Sequence, residues 1–495
     1  MKQLSIQDAG FIYQETINTP MHISGLGFYD QAGERKKKNQ ADFVSFLSSR
    51  LQNANILKQK LVHVPGDWDR PYWIEDENFR LENHVNVIEL PKPGNHAQLM
   101  ELVSDLLSKP LDLSRPLWEV HVIEGLRSID GLSKNSFALL TKIHHSCIDG
   151  ASGNSIMEVL HDFEKNPKPV AVPTPAIEKM LTETAKRIPG HYEMQAIAYG
   201  KNVLSFFDQT TAVSRRLPSL LKTGVQLYRG QKSAGAKLTV PATRFNKTPS
   251  GKRVFESALF QLDDIKAIKN SVPGTTVNDV MVSIVAGGLR KYLAHYGELP
   301  EGSLGAMLPQ NTRKEVVAKS DHGNQVGGLF ANIHTNIADP IERLNAIHQS
   351  TVEAKQFAED EGTASILPNM MGGFLYPRYG KAMTQFLQKH NLMERVGPVV
   401  VNTVITNVPG PNFPLYHAGA KLMSYSGIAP LTDGLGISHA VYSFCGKLTL
   451  SMVSCEEMMR DPEFYINCCK EVFHELCQAT QVTPADSEDL MRETA

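Results

Sequence analysis

The stretch His144-His145-Ser146-Cys147-Ile148-Asp149-Gly150 sets two imidazoles and a carboxylate side by side, a group of residues suited to moving a proton. The residues before it, 136–143, read as a mostly buried strand, and residues 152–160 read as an amphipathic helix. The histidine pair is therefore expected on a strand-to-helix turn. An imidazole there can be held neutral by its neighbours and serve as a general base near pH 7. Gly150 and Gly153 leave backbone uncovered for the close approach of a long, thin substrate. Zinc would ask for histidines at i and i+4 on a helix, or for Cys pairs, whereas adjacent histidines on a strand point to opposite faces. No metal is expected. Ser146 or Cys147 as a hydrolase nucleophile would need a G-x-S-x-G turn, and none surrounds them. Two histidines simply satisfied in a core remain the plain alternative, against which the following Asp-Gly weighs.

Those residues need a scaffold, and 495 residues is too long for one ordinary core, so two or three domains are expected. An apolar fraction of 42% and a charged fraction of 21% suit a soluble globular protein, and a net charge of -2 argues against a globally basic nucleic-acid binder. The six cysteines contain no C-x-x-C pair, which points away from a zinc ribbon or a secreted disulfide framework and fits a reducing cytoplasm. Nothing of signal-peptide character follows Met1-Lys2, so a cytoplasmic location is expected. The run Val280 to Leu289 is about half the length needed to span a bilayer and is read as a buried helix, leaving any membrane contact peripheral.

Strands and helices alternate over residues 1–165. Ala41 to Val62 and His96 to Ser108 are helical in period, and Trp118 to Gly125 and Phe137 to His144 read as strands. Four prolines in residues 166–175 mark an extended linker, and 166–239 is taken as a linker with a helical connector. Residues 209–255 carry ten Lys and Arg and no acid, which is either a solvated helix face or a surface for anionic headgroups or phosphates. A second α/β lobe is expected over 240–495. It has a strand at Arg253 to Leu262, a helix from Val277 to Tyr296, strands at 304–308, 326–337 and 399–406, a hairpin around Cys445-Gly446, and a last helix from about Pro462 to Gln478.

Asn278, near the start of that long helix, could donate to a developing oxyanion or orient an imidazole, because an amide donates without titrating. It could equally be the helix cap. Pro116-Leu117-Trp118 could line a pocket, although such a Trp is more often core. Ile366 to Met371 with Phe374, Leu375 and Met383 would suit an alkyl chain, with helix core as the slightly preferred reading.

The heptad at 144–150 fits the HHxxxDG pattern of the CoA-dependent acyltransferase superfamily. With Ser114 to Leu126, Val277-Asn278-Asp279-Val280 and Asn407-Val408-Pro409-Gly410-Pro411, the chain resembles the bacterial wax ester synthase/diacylglycerol acyltransferases. The likeness opens at Asp8 and Pro20-Met21-His22, passes through Gly323-Asn324-Gln325-Val326-Gly327, and covers nearly the whole chain. It implies two chloramphenicol acetyltransferase-like lobes with a tunnel between them. It also implies transfer of a long-chain acyl group from acyl-CoA, a substrate and not a cofactor, to a fatty alcohol or diacylglycerol. By the same resemblance His145 is the base, His144 is structural or assisting, and Asp149 braces the turn by pairing with Arg313, with Gly150 beside it. Contact with the inner face of a membrane or with lipid inclusions would follow, and no nucleic acid. A condensation-type enzyme using a carrier-bound acyl group, or a non-catalytic lipid-droplet coat protein, are the alternatives. The intact motif argues against the coat protein.

Overall fold

A computed structural model describes residues 2–31, 39–51, 55–67, 69–133, 135–147, 159–165, 240–311, 326–361, 382, 386, 399 and 401–485. The first half supplies strands β1 (Lys2–Gln3), β2 (His22–Asp30), β3 (Gln59–Val62), β4 (Tyr72–Glu75), β5 (Val85–Glu89), β6 (Trp118–Glu124) and β7 (Phe137–His144). Its helices are α1 (Ile6–Gln14), α2 (Gln40–Ser48) and α3 (His96–Ser108). The second half supplies β8 (Arg253–Gln261), β9 (Gly305–Asn311), β10 (Val326–Asn332), β11 (Thr403–Pro409), β12 (Tyr416–His417), β13 (Ala420–Ile428), β14 (Ile437–Phe444) and β15 (Lys447–Cys455). Its helices are α4 (Leu262–Ser271), α5 (Val277–His295), α6 (Pro340–Glu361) and α7 (Pro462–Thr480).

Two six-stranded mixed sheets form the lobes, in the orders β12-β13-β2-β7-β6-β5 and β10-β9-β11-β14-β15-β8. In the first sheet His22 pairs with His144 and Tyr29 with Phe137, so strand alternation sorts the side chains into two faces. Tyr29, Phe137, Leu139 and Ile143 enter one core with α1 and α2 residues, while Leu26, Phe28, Ala138 and Leu140 meet α3 and the second lobe's Phe255 and Val453. The even-numbered face of β7, which carries Lys142 and His144, therefore looks toward the other lobe.

Residues 240–495 do not stay together as the sequence suggests. Strands β12 and β13 leave the second half of the chain and extend the first sheet, β13 pairing antiparallel with β2. A crossover of this kind leaves no local trace, because alternation reports that one face is buried but not which sheet buries it. Residues 41–62 also differ from the expected single helix. The helix ends at Ser48, and Gln59–Val62 pairs with β4, a tertiary partner overriding a helical pattern. Residues 177–230 lie outside the described residues.

The long apolar helix is buried as expected, with Val280, Met281, Val282, Ile284, Val285 and Ala286 all fully enclosed. No described helix is long and apolar enough to cross a membrane. Cys445 and Gly446 both take positive φ, 44° and 77°, the geometry that a two-residue hairpin turn of the inverted type demands.

Helices α5 and α7 approach so closely that a Cβ on Gly287 would stand 2.7 Å from both Val472 methyls, and one on Gly288 would stand 2.4 Å from the Cys469 sulfur. Overpacking a filled core costs about 1–3 kcal/mol. Gly287→Val is expected to lower stability by at least that amount, read as a shift in urea midpoint with unchanged slope. A midpoint equal to wild type would show that the two helices are not in this contact.

Candidate active site

Strand β7 ends at His144, and the next three residues, His145–Cys147, form a single 3-10 turn. The turn is tied at both sides. The His144 N–H donates to Leu117 O at 2.9 Å and the His145 N–H to Met21 O at 2.8 Å. Asp149 and Gly150 of the motif, Arg313, and the alkyl-chain candidates Ile366 to Met371, Phe374, Leu375 and Met383 lie outside the described residues.

The two histidines stand in different surroundings. His144 has no exposed surface. The Ser146 N–H donates to its Nδ1 at 3.1 Å, so the ring proton sits on Nε2, which faces the Glu15 carboxylate at 3.2 Å. The Ser146 hydroxyl lies 2.7 Å from the same Nδ1. Glu15 ends α1 and also accepts the Met21 N–H at 2.7 Å, so one carboxylate oxygen braces both strands of the His22/His144 pair. His145 is half-buried and stacks on Phe11 of α1, with ring centroids 3.8 Å apart and planes 14° from parallel. Burial lowers its pKa to about 4, and the neighbouring His144 adds to the effect. His145 is thus neutral throughout the physiological range.

The face beneath the motif is strongly polar for a buried surface. His22 is held well below its ordinary value by burial first, then by Lys142, His144 and Arg253. Lys142, itself buried, donates to Lys109 O at 2.7 Å and stands 3.5 Å from Glu119, and burial depresses its pKa. Glu15, His22 and Lys142 were not singled out from sequence as chemical residues. The one available signal was Pro20-Met21-His22, whose histidine turns out to pair with His144.

Pro116, Leu117 and Trp118 are buried, and Trp118 belongs to the first lobe's core, stacked on His84 at 4.7 Å with its indole N–H donated to Leu57 O. This corrects the pocket-lining reading: an indole whose only polar atom is already bonded inside the core serves as packing, and Leu117 supports the turn through His144.

Asn278 stands on the second lobe, in the first turn of α5, and is half-buried. It is not the cap. Thr276 takes that place, its side chain accepting the Asp279 N–H, while Asp279 also receives Thr351 Oγ1 at 2.9 Å and lies 3.0 Å from His348 Nδ1. Asn407, at the far end of β11, donates to Asn278 Oδ1 at 3.4 Å, which engages the acceptor end of that amide and leaves its Nδ2 hydrogens as the groups offered to a ligand. Of the acid-free basic span, Arg244 pairs with Glu298, Lys252 pairs with Glu456, and Arg253 is buried with its guanidinium on Ser250 O and Asn18 O. Of these, only Arg253 crosses between the lobes, through Asn18 O. Residues 209–239, with six of the ten charges, lie outside the described residues.

The chain matches the catalytic domain of the wax ester synthase/diacylglycerol acyltransferase family over residues 4–281 and that family's C-terminal domain over residues 322–477. It is 29% identical to the O-acyltransferase WSD of Acinetobacter baylyi, over 93% of both chains. A Mycobacterium tuberculosis protein with a provisional diacylglycerol O-acyltransferase name is 28% identical, over 98% of this chain and 92% of that one. Among solved structures, the wax ester synthase/diacylglycerol acyltransferase from Marinobacter aquaeolei VT8 superposes with a TM-score of 0.64 at 25% identity, covering 97% of this chain and 100% of that one. The first condensation domain of the calcium-dependent antibiotic synthetase, at 12% identity and a TM-score of 0.54 over 99% and 97% of the two chains, has the same fold.

Buried neutral histidines make stability depend on acid. In the unfolded chain they titrate near the usual value of about 6.5, whereas His22, His145 and His439 are pushed down by burial, His145 to about 4 and His439 to about 3. Between those limits the unfolded state binds more protons, so stability is full above about pH 6.5 and falls as pH drops toward 4. His84 and His334, also lowered by burial, act in the same sense, and His96, raised by Glu256, acts in the opposite one. Urea midpoints should decline from pH 7 to 4.5, and a flat profile would mean that these rings are not buried uncharged.

Proposed function

The chain belongs to the wax ester synthase/diacylglycerol acyltransferase family and is an O-acyltransferase, and on that premise we propose that it carries a long-chain fatty acyl group from acyl-CoA to a fatty alcohol, a diacylglycerol or both. The observation that carries the assignment of the base is the contrast within the histidine pair. His144 is fully enclosed, with Nδ1 bonded to Ser146 and Nε2 held 3.2 Å from the Glu15 carboxylate, while its neighbour is half-buried and neutral.

In this reading the acceptor hydroxyl gives its proton to His145 as its oxygen bonds to the thioester carbonyl carbon. Negative charge gathers on the carbonyl oxygen, where the Nδ2 hydrogens of Asn278 supply donors from the second lobe. The carbon–sulfur bond then breaks, and the CoA sulfur leaves with the proton that His145 took up. A base with so low a pKa forms an imidazolium acidic enough to release that proton promptly. No covalent acyl-enzyme is required, because the thioester is already activated. The substrates meet in a tunnel between lobes, and the protein works peripherally at a membrane or lipid-inclusion surface. Asp149 pairs with Arg313 to hold the motif turn, with Gly150 beside it.

The direct test is purified protein with palmitoyl-CoA and hexadecanol or dioleoylglycerol, reading free CoA against ester formed. Equal amounts are expected, and no release with either acceptor would overturn the reading in favour of a carrier-bound donor or a non-catalytic role. His145→Ala should lose at least about a hundredfold in turnover with little change in stability. His144→Ala should instead lower the melting temperature, because it strips Glu15 of its buried partner. Near-wild-type turnover in folded His145→Ala would remove that residue from the chemistry.

For the Asp149–Arg313 pair, each single neutral variant should cost about 3–5 kcal/mol by stranding the other charge, and the double variant should recover part of the loss. Singles that lose activity at unchanged stability would shift Asp149 from bracing to catalysis.

A further inference from the structure

The side chain of Asp279 is buried, and a buried carboxylate is tolerated only where donors surround it. Among the described residues four donors meet it. Two are the N–H and the hydroxyl of Thr276, both 2.9 Å from Oδ2, which belong to the capping box at the first turn of α5. The other two come from α6: the Thr351 hydroxyl donates to Oδ1 at 2.9 Å, and the His348 imidazole stands 3.0 Å from Oδ2 with Nδ1 as the donor. Residues 348 and 351 are three apart and so lie on one face of their helix. The box is thus completed from an element 69 residues further along the chain.

Helix α6 is itself well anchored. Leu344 and Ile347 enter the second lobe's core, Ser350 lies 2.8 Å from the His334 imidazole, and the buried Arg343 donates to Ile337 O and Ala338 O. The His348 ring also lies against the loop that leads into α5. A Cβ on Gly274 would stand 3.2 Å from its Nε2, and Gly274 has a φ of 86°, so glycine suits this close approach. His348 therefore touches both the approach to α5 and the carboxylate in its first turn. Asn278 sits between Thr276 and Asp279, so the box fixes the backbone from which its amide projects. Among the described residues that amide has one hydrogen bond to direct it, the long one of 3.4 Å from Asn407, and its aim depends on the backbone beneath.

We propose that His348 is a positioning residue for acyl transfer: through the Asp279 carboxylate it holds the first turn of α5 so that the Asn278 amide is aimed at the reacting carbonyl. The role asks for a hydrogen-bond donor at the place of Nδ1 and for nothing else of the imidazole. It rests on the function proposed above, in which Asn278 donates to the developing oxyanion. Donors to an oxyanion work by being fixed in place beforehand, and a misplacement of about 1 Å costs on the order of a hundredfold in rate. Thr351 is fully buried, so its replacement would disturb packing as well as the bond. The His348 side chain is 24% exposed, and it can be changed without hollowing the core.

The experiment compares the full-length wild type with His348→Ala, His348→Asn, Asn278→Ala and the double variant Asn278→Ala with His348→Ala. Palmitoyl-CoA is supplied with hexadecanol or dioleoylglycerol, well below each protein's unfolding temperature. His348→Ala should lower kcat at least about tenfold with KM for palmitoyl-CoA unchanged. His348→Asn, whose side-chain N–H replaces that of Nδ1, should recover most of the loss. Once Asn278 is gone, His348→Ala should cost nothing further, because the two residues act as one unit. Equal losses with and without Asn278 overturn the proposal, as do an unchanged kcat in His348→Ala and a His348→Asn no faster than His348→Ala. Hydrogen exchange at the Asp279 and Val280 amides reads the same tie without substrate, and it should quicken in His348→Ala and return toward wild type in His348→Asn. Wild-type exchange in His348→Ala overturns the proposal too. If exchange responds as expected but wild type releases CoA with neither acceptor, the tie from α6 to α5 stands and it is the proposed function that fails.

Discussion

The way His144 is held governs the geometry around it. Burial leaves the His144 ring no water to turn to: Ser146 bonds Nδ1, and the Glu15 carboxylate stands 3.2 Å from Nε2 without closing a hydrogen bond to it. Glu15 also takes the Met21 N–H, and Met21 O in turn takes the His145 N–H. The end of α1, the start of β2 and the turn after β7 are thereby linked by two hydrogen bonds and one close imidazole–carboxylate approach. The orientation of His145 is a consequence. With its backbone tied and its ring laid on Phe11, it has little freedom other than to face out of the turn. The first histidine of the pair is a structural part whose loss would be felt by the second.

The same economy is seen where the second lobe offers its amide. Asn278 is not spent on capping because Thr276 and Asp279, on either side of it, form the capping box, and Asp279 is anchored in turn by Thr351 and His348 of α6. A side chain relieved of capping can be directed at a ligand. Its partner Asn407 sits on β11, whose parallel pairing with β14 sets it deep in the second sheet before the chain turns outward at Gly410. Burial at this seam has an electrostatic consequence as well. A neutral imidazole is the stable form where water is scarce, so the desolvation that weakens His145 as a base also guarantees that it is always available as one.

Much was legible in the sequence because it is written in local patterns. The HHxxxDG heptad lay at a strand end because buried alternation stops there; α3 and α5 were recognisable by period and length; and Cys445-Gly446 announced a hairpin through the positive φ its turn requires. The whole-chain resemblance carried the family and the paired lobes, both of which the comparisons bear out. Three things were decided only by tertiary structure. Strand β13 joined the first sheet across a long stretch of chain, Gln59–Val62 became a strand because β4 was beside it, and Trp118 went to the core because Leu57 O was there to take its N–H. Glu15 belongs with these, since nothing four residues beyond Phe11 in the sequence marks a carboxylate destined for a histidine more than a hundred residues away. The physical reason is common to all four. Periodicity and turn chemistry are set by neighbours along the chain, but the partner that satisfies a buried polar group or covers an apolar face is set by what packing brings alongside, and that distance in sequence carries no local signal.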